Sequence, residues 1–321
     1  MISFAEALRF WLKLGFISFG GPAGQIAIMH RVLVDEKKWI EESRFLHALN
    51  FCVLLPGPEA QKLATYAGWL LHGTRGGLAA GILFVLPGAL VMLALSMLYA
   101  LGRGIPAVEG ALYGIKAAVL VIVVEALIRI GRRALKTRFL IGVAAAAFIG
   151  IFFLALPFPL IVLAAGVAGF FTTVAGAPVA APPKPGRWRH AASALLVGTL
   201  LWWTPVALAA LLLGARHVLV DVGLFFSKLA VVSFGGAYAL LAYMAQQAVD
   251  NYQWMSAPEM VDGLGLAETT PGPLILVTQF VGFLAAYRDP APFTPLGAGV
   301  LGATMTTWVT FVPPMTLIFA L

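Results

Sequence analysis

Apolar stretches long enough, as helices of about 20 residues, to cross a ~30 Å hydrocarbon core recur along almost the whole chain. Water cannot be the solvent for such a fold. Of the 321 residues, 61% are hydrophobic and 11% charged, against roughly 45–50% and 25% in soluble domains. The expected architecture is therefore an all-α, polytopic helix bundle in the lipid bilayer. Expected spans are 5–30, 45–72, 77–102, 107–130, 138–156, 158–175, 191–214, 220–247, 259–286 and 294–321. The chain runs directly into Phe10–Phe19 without a basic leader or a small-residue cleavage site, so the first segment is expected to stay as a helix.

The net charge of +7 does not point to nucleic acid, because the basic residues sit between apolar segments rather than among aromatic residues on a polar surface. Arg129, Arg132, Arg133, Lys136 and Arg138 form one run, and Lys184, Arg187 and Arg189 another, at the end of the Pro-rich stretch Ala177–Pro185. By the positive-inside rule both face the cytoplasm, which places the protein in the cytoplasmic membrane. Cys52 is the single cysteine, and His30, His47, His72, His190 and His217 are scattered. No disulfide, metal site or cofactor is expected.

Sliding the chain by 215 residues superposes Phe10 on Phe225, Lys13 on Lys228 and Ser18-Phe19-Gly20-Gly21 on Ser233-Phe234-Gly235-Gly236. The same shift superposes Val34-Asp35 on Val249-Asp250, Trp39 on Trp254, and Pro56-Gly57-Pro58 on Pro271-Gly272-Pro273. From Phe10 to Pro58, 16 of 49 positions are identical, and apolar composition alone does not put such motifs in register. The chain is a duplication. Its expected parts are a first membrane repeat (1–175), a cytoplasmic Pro-rich linker (176–190) and a second repeat (191–321), incomplete at its C-terminal end. Seven single crossings separate the repeat starts, which would invert the halves; if both PGP elements re-enter, the number is six and the halves are parallel. The expectation here is inversion.

Both duplicated motifs break helices. Gly20 and Gly21 tolerate unwound backbone, and Pro22 suits the first position of a new helix. Pro56-Gly57-Pro58 and its copy split their spans into half-helices. Half-helix N-termini present free N–H groups and about half a positive charge, and irregular backbone at membrane depth survives only inside protein or beside a cavity. The candidate anion-binding set is Ser18, Gly20, Gly21, Pro22, Gly57, Pro58, Ser233, Gly235, Gly236, Gly272 and Pro273. Lys13 and Lys228 join it as a duplicated cation in apolar sequence; the alternative for both is snorkelling to the interface. Glu59 and Glu268 flank the two breaks and are candidates for proton coupling, with stabilisation of a helix N-terminus as the plainer role for Glu59.

These motifs resemble the chromate ion transporter family. The resemblance rests on Phe16-Ile17-Ser18-Phe19-Gly20-Gly21-Pro22, Trp39, Leu55-Pro56-Gly57-Pro58, Phe84-Val85-Leu86-Pro87, Ser233-Phe234-Gly235-Gly236 and Glu268-Thr269-Thr270-Pro271-Gly272-Pro273, and it covers roughly residues 5 to 315. It implies a two-half membrane protein that exports chromate on the proton motive force, conferring chromate resistance, with halves in opposite orientation. Sulfate has the same charge and shape, so a sulfate or other oxyanion transporter is an alternative, as is a passive anion channel. An enzyme reducing chromate is disfavoured by the single cysteine and the lack of any cofactor motif. The oligomeric state is not legible, and a homodimer fits the sequence.

Overall fold

A computed structural model describes residues 2–19, 21–102, 104–154, 156, 158–170, 188–233 and 237–320, and their regular structure is entirely helical. In order the helices are α1 (Phe4–Ile17), α2 (Gly21–His30), α3 (Glu42–Leu54), α4 (Glu59–Leu101), α5 (Pro106–Ala134), α6 (Arg138–Phe152) and α7 (Phe158–Phe170). There follow α8 (Trp188–Leu213), α9 (Val218–Val232), α10 (Ala237–Gln246), α11 (Ala257–Thr269), α12 (Val277–Arg288) and α13 (Pro295–Ala320). The stretch read as a linker lies outside the described residues up to Arg187. Residues 1–119 and 188–321 make one compact unit, and 120–187 a second. In the second, Leu156 N–H closes back on Gly150 O at 2.9 Å and Phe148 stacks on Phe152 with centroids 5.6 Å apart. All of the duplicated motifs lie in the first.

Local sequence sets the helix ends. Ser3 Oγ accepts from Glu6 N–H at the start of α1, and at α11 Ser256 and Glu259 form a reciprocal capping box followed by proline. The break in α4 comes from His72 (φ −140°) and Gly73 (φ 62°), which fold it into two arms, 59–71 and 74–101. Gly68 and Gly76 make the crossing; a Cβ on either would collide with the carbonyl of the other. α12 and α13 repeat this arrangement through Gly282 and Gly302.

Three described helices are long and apolar enough to cross a membrane: Glu59–Leu101, Ala191–Leu213 and Pro295–Ala320. The expected spans 5–30, 45–72, 220–247 and 259–286 are each divided between two helices. The first arm of α4 is about 20 Å long at 1.5 Å per residue, well under the hydrocarbon thickness.

The duplication reaches into backbone detail. A π-helical turn spans Arg31–Glu36 in the first copy and Gln247–Asn251 in the second. Trp39 N–H donates to Leu33 O at 2.8 Å, and Trp254 N–H to Ala248 O at 2.9 Å. Immediately before each tryptophan stands a residue of positive φ, Lys38 (51°) and Gln253 (53°). α3 and α11 coincide end for end under the 215-residue shift.

Candidate functional site

All four segments that carry the duplicated motifs meet in the larger unit. Gly57 and Gly272 hold φ of 103° and 101°, a region costly to any residue with a Cβ. Their N–H groups do not bond within their own copy. Gly57 N–H donates to Ser233 O at 2.9 Å, and Gly272 N–H donates to Ser18 O at 2.8 Å. Each PGP therefore docks on the Ser of the other half. Packing follows the same exchange: a Cβ on Gly57 would collide with Pro314 of α13, and Gly88 of α4 lies directly beneath the Pro271 carbonyl and Gly272.

A cavity of about 30 Å³ lies where these elements converge, room for about two water molecules. The first turn of α2 contributes Pro22 and Gln25, and the start of α4 contributes Gly57, Pro58, Glu59 and Ala60. The second half contributes Leu229, Ala230 and Ser233 from α9 and its end, Leu240 from α10, Pro273-Leu274-Ile275 and Thr310. The starts of α2 and α4 thus border it, with the turn Leu274–Leu276 that leads into α12, and N–H groups at helix starts favour negative charge.

Of the residues singled out in the sequence, Pro22, Gly57, Pro58, Glu59, Ser233 and Pro273 line the cavity. Ser18 and Gly272 sit one hydrogen bond behind it. Gly21, with φ 73°, is buried at the start of α2. Gly20, Gly235 and Gly236 lie outside the described residues. Lys13 and Lys228 are not brought in: both are exposed, on α1 and α9, and Lys228 Nζ stands 5.9 Å from the Tyr243 ring centroid. Glu268 is half-buried in the last turn of α11 and does not line the cavity.

Sequence reading passed over the polar residues that break the symmetry. Gln25 is 1% exposed; its Nε2 donates to Gly272 O at 2.7 Å and is 3.5 Å from Ser18 O. Its Oε1 is buried without a partner, as are Ser18 Oγ and Thr310 Oγ1. Lys62 is fully buried, with Nζ donating to Leu55 O at the end of α3. Gln61 Nε2 donates to Phe311 O at 3.1 Å, and Gln279 Nε2 to Ala89 O at 2.9 Å. Both glutamines border a larger, mainly apolar cavity of about 740 Å³ between α4, α8 and α13. Under the 215-residue shift, Gln25, Glu59, Gln61 and Lys62 correspond to Leu240, Leu274, Leu276 and Val277. Comparing the copies for every position where they differ in polarity would have found Gln25, Gln61 and Lys62 beside Glu59.

His30 lies between two carboxylates, with Nε2 2.7 Å from Glu42 Oε2 and Nδ1 3.4 Å from Asp35 Oδ2. Their ligand atoms fall within 4.8 Å of one another, but histidine and carboxylates satisfy each other there, away from the cavity.

The family model described as Chromate transporter matches residues 5–170 and 220–321. The chromate transport protein of Pseudomonas aeruginosa is 34% identical over 327 residues, covering 97% of this chain and 71% of that protein. The chromate transport protein of Cupriavidus metallidurans is 28% identical, covering 96% and 71%. A shorter relative, the uncharacterized transporter YwrA of Bacillus subtilis, is 29% identical over 136 residues, covering 42% of this chain and 76% of that protein. No solved structure matches.

Proposed function

The chain belongs to the chromate transporter family, and from that premise we propose that it exports chromate across the cytoplasmic membrane through the cavity between its two halves. The observation that carries this reading is the reciprocal pair of bonds, Gly57 to Ser233 and Gly272 to Ser18, which gathers the starts of α2 and α4 and the turn leading into α12 around one small space. Converging helix N-termini suit an oxyanion, because backbone N–H groups bind it without adding charge to the membrane interior.

The direction follows from energetics. An inside-negative potential acts on each charge with about 2.3 kcal/mol per 100 mV, so about 4.6 kcal/mol favours outward movement of a dianion. That is worth roughly three powers of ten in gradient. The halves take opposite orientations, and alternating access follows from one half rocking against the other. The small size of the cavity, about 30 Å³, supports such a carrier over an open channel. Lys13 and Lys228 attract the anion from α1 and α9, and either Glu59 or Glu268 carries the coupled proton.

Uptake of labelled chromate into inverted vesicles, with and without a proton gradient and with and without a membrane potential, tests the proposal. Concentrative uptake that collapses with the gradients supports it. Equilibration indifferent to both would make the protein a passive channel.

A further inference from the structure

Gln25 has no proton to offer a ligand. Its amide nitrogen is committed to Gly272 O at 2.7 Å and faces Ser18 O at 3.5 Å, which fixes the amide orientation and leaves Oε1 as the free atom. That oxygen is buried, unpartnered, and belongs to a side chain lining the cavity. A buried acceptor left unsatisfied is costly, and a fully ionised oxyanion makes matters worse, since it presents only acceptors. Among the described residues lining the cavity, Glu59 is the one titratable group; Lys62, a turn further along α4, is bonded to Leu55 O. The second copy, with leucine at the equivalent position 240, places no such demand.

Resting on the reading of this cavity as the oxyanion site, we propose that Gln25 selects the monoprotonated form of the anion. The anion's O–H donates to Gln25 Oε1, and its remaining oxygens accept from Thr310 Oγ1 and from free N–H groups at the helix beginnings. Chromate takes up a proton near neutral pH; sulfate and selenate do not, and phosphate and arsenate keep an O–H across the same range. The class admitted is therefore tetrahedral oxyanions that carry an O–H. Bound chromate then has a single charge, so the membrane potential acts on one charge rather than two.

The test is equilibrium binding to the purified full chain in lipid nanodiscs at mildly acidic and mildly alkaline pH, with labelled chromate as probe and the other anions as competitors. Chromate should bind about tenfold or more tightly on the acidic side, in step with its own protonation. Arsenate should displace it at both pH values, and sulfate and selenate at neither. In Gln25→Leu the acid-side advantage should shrink by about tenfold, while in Glu59→Gln it should persist. Sulfate competing as well as arsenate would overturn the proposal and leave the oxyanion site standing. Loss of the pH dependence in Glu59→Gln, with retention in Gln25→Leu, would also overturn it. Absence of chromate binding at either pH would instead sink the functional reading itself. Should Gln25→Leu fail to fold, the anion series on the unaltered protein still decides.

Discussion

Gly57 and Gly272 occupy the same conformation yet differ in what surrounds them. A Cβ on Gly57 would collide with the Pro314 ring, whereas at Gly272 the nearest atoms, Leu276 Cδ1 at 3.2 Å and Gly88 Cα at 3.3 Å, leave it in tight contact without collision. Both alanine variants carry the strain of positive φ, about 1–2 kcal/mol, but Gly57→Ala adds overpacking of roughly 1–3 kcal/mol. Gly57→Ala should therefore lose more thermal stability and chromate flux than Gly272→Ala, measured on purified protein and in vesicles. Lys62 is a second case. Removing its amine in Lys62→Met leaves the Leu55 carbonyl unpaired, and melting should show a loss of about 1–3 kcal/mol. Lys13→Gln and Lys228→Gln, at exposed positions, should leave melting unchanged and weaken apparent chromate affinity by about tenfold or less; unchanged affinity in both would return these lysines to interface anchoring.

At the scale of elements, what the sequence disclosed and what it hid have physical reasons. Ser18 to Gly21 and Pro56 to Pro58 were legible because glycine and proline interrupt helices by their own chemistry, whatever their neighbours. Which break touches which was not legible, since register identifies equivalent residues and says nothing of contacts between copies. Phe84-Val85-Leu86-Pro87 has a counterpart in Phe311-Val312-Pro313-Pro314 at an offset of 227, but a slide of 215 loses it beyond the hairpin turn, where the second copy is longer. Gln25 escaped notice because identity was the signal sought, and its equivalent is Leu240. The hairpins give a prediction of their own. Gly68 and Gly76 approach backbone to backbone, so Gly76→Leu should drive the arms of α4 apart and abolish recovery of folded protein from membranes.

For the whole molecule, coupling is the property to separate from binding. If Glu59 or Glu268 carries the proton, its glutamine variant mimics the protonated state permanently. Counterflow of chromate at zero gradient should survive, while accumulation across a pH gradient fails. A variant that keeps both excludes that residue from coupling, and one that loses both assigns it a binding or structural role. The hydrogen bonds from Gly57 to Ser233 and from Gly272 to Ser18 also bear on ancestry. An exchange of loops in which each partner gives what it receives is the self-complementary contact of a two-fold pair, the form two identical half-length chains would adopt before fusion. Fusion then frees each copy from having to match the other. Gln25 facing Leu240 across one cavity is the trace of that freedom: one ancestral position now does two jobs, recognition in the first copy and packing in the second.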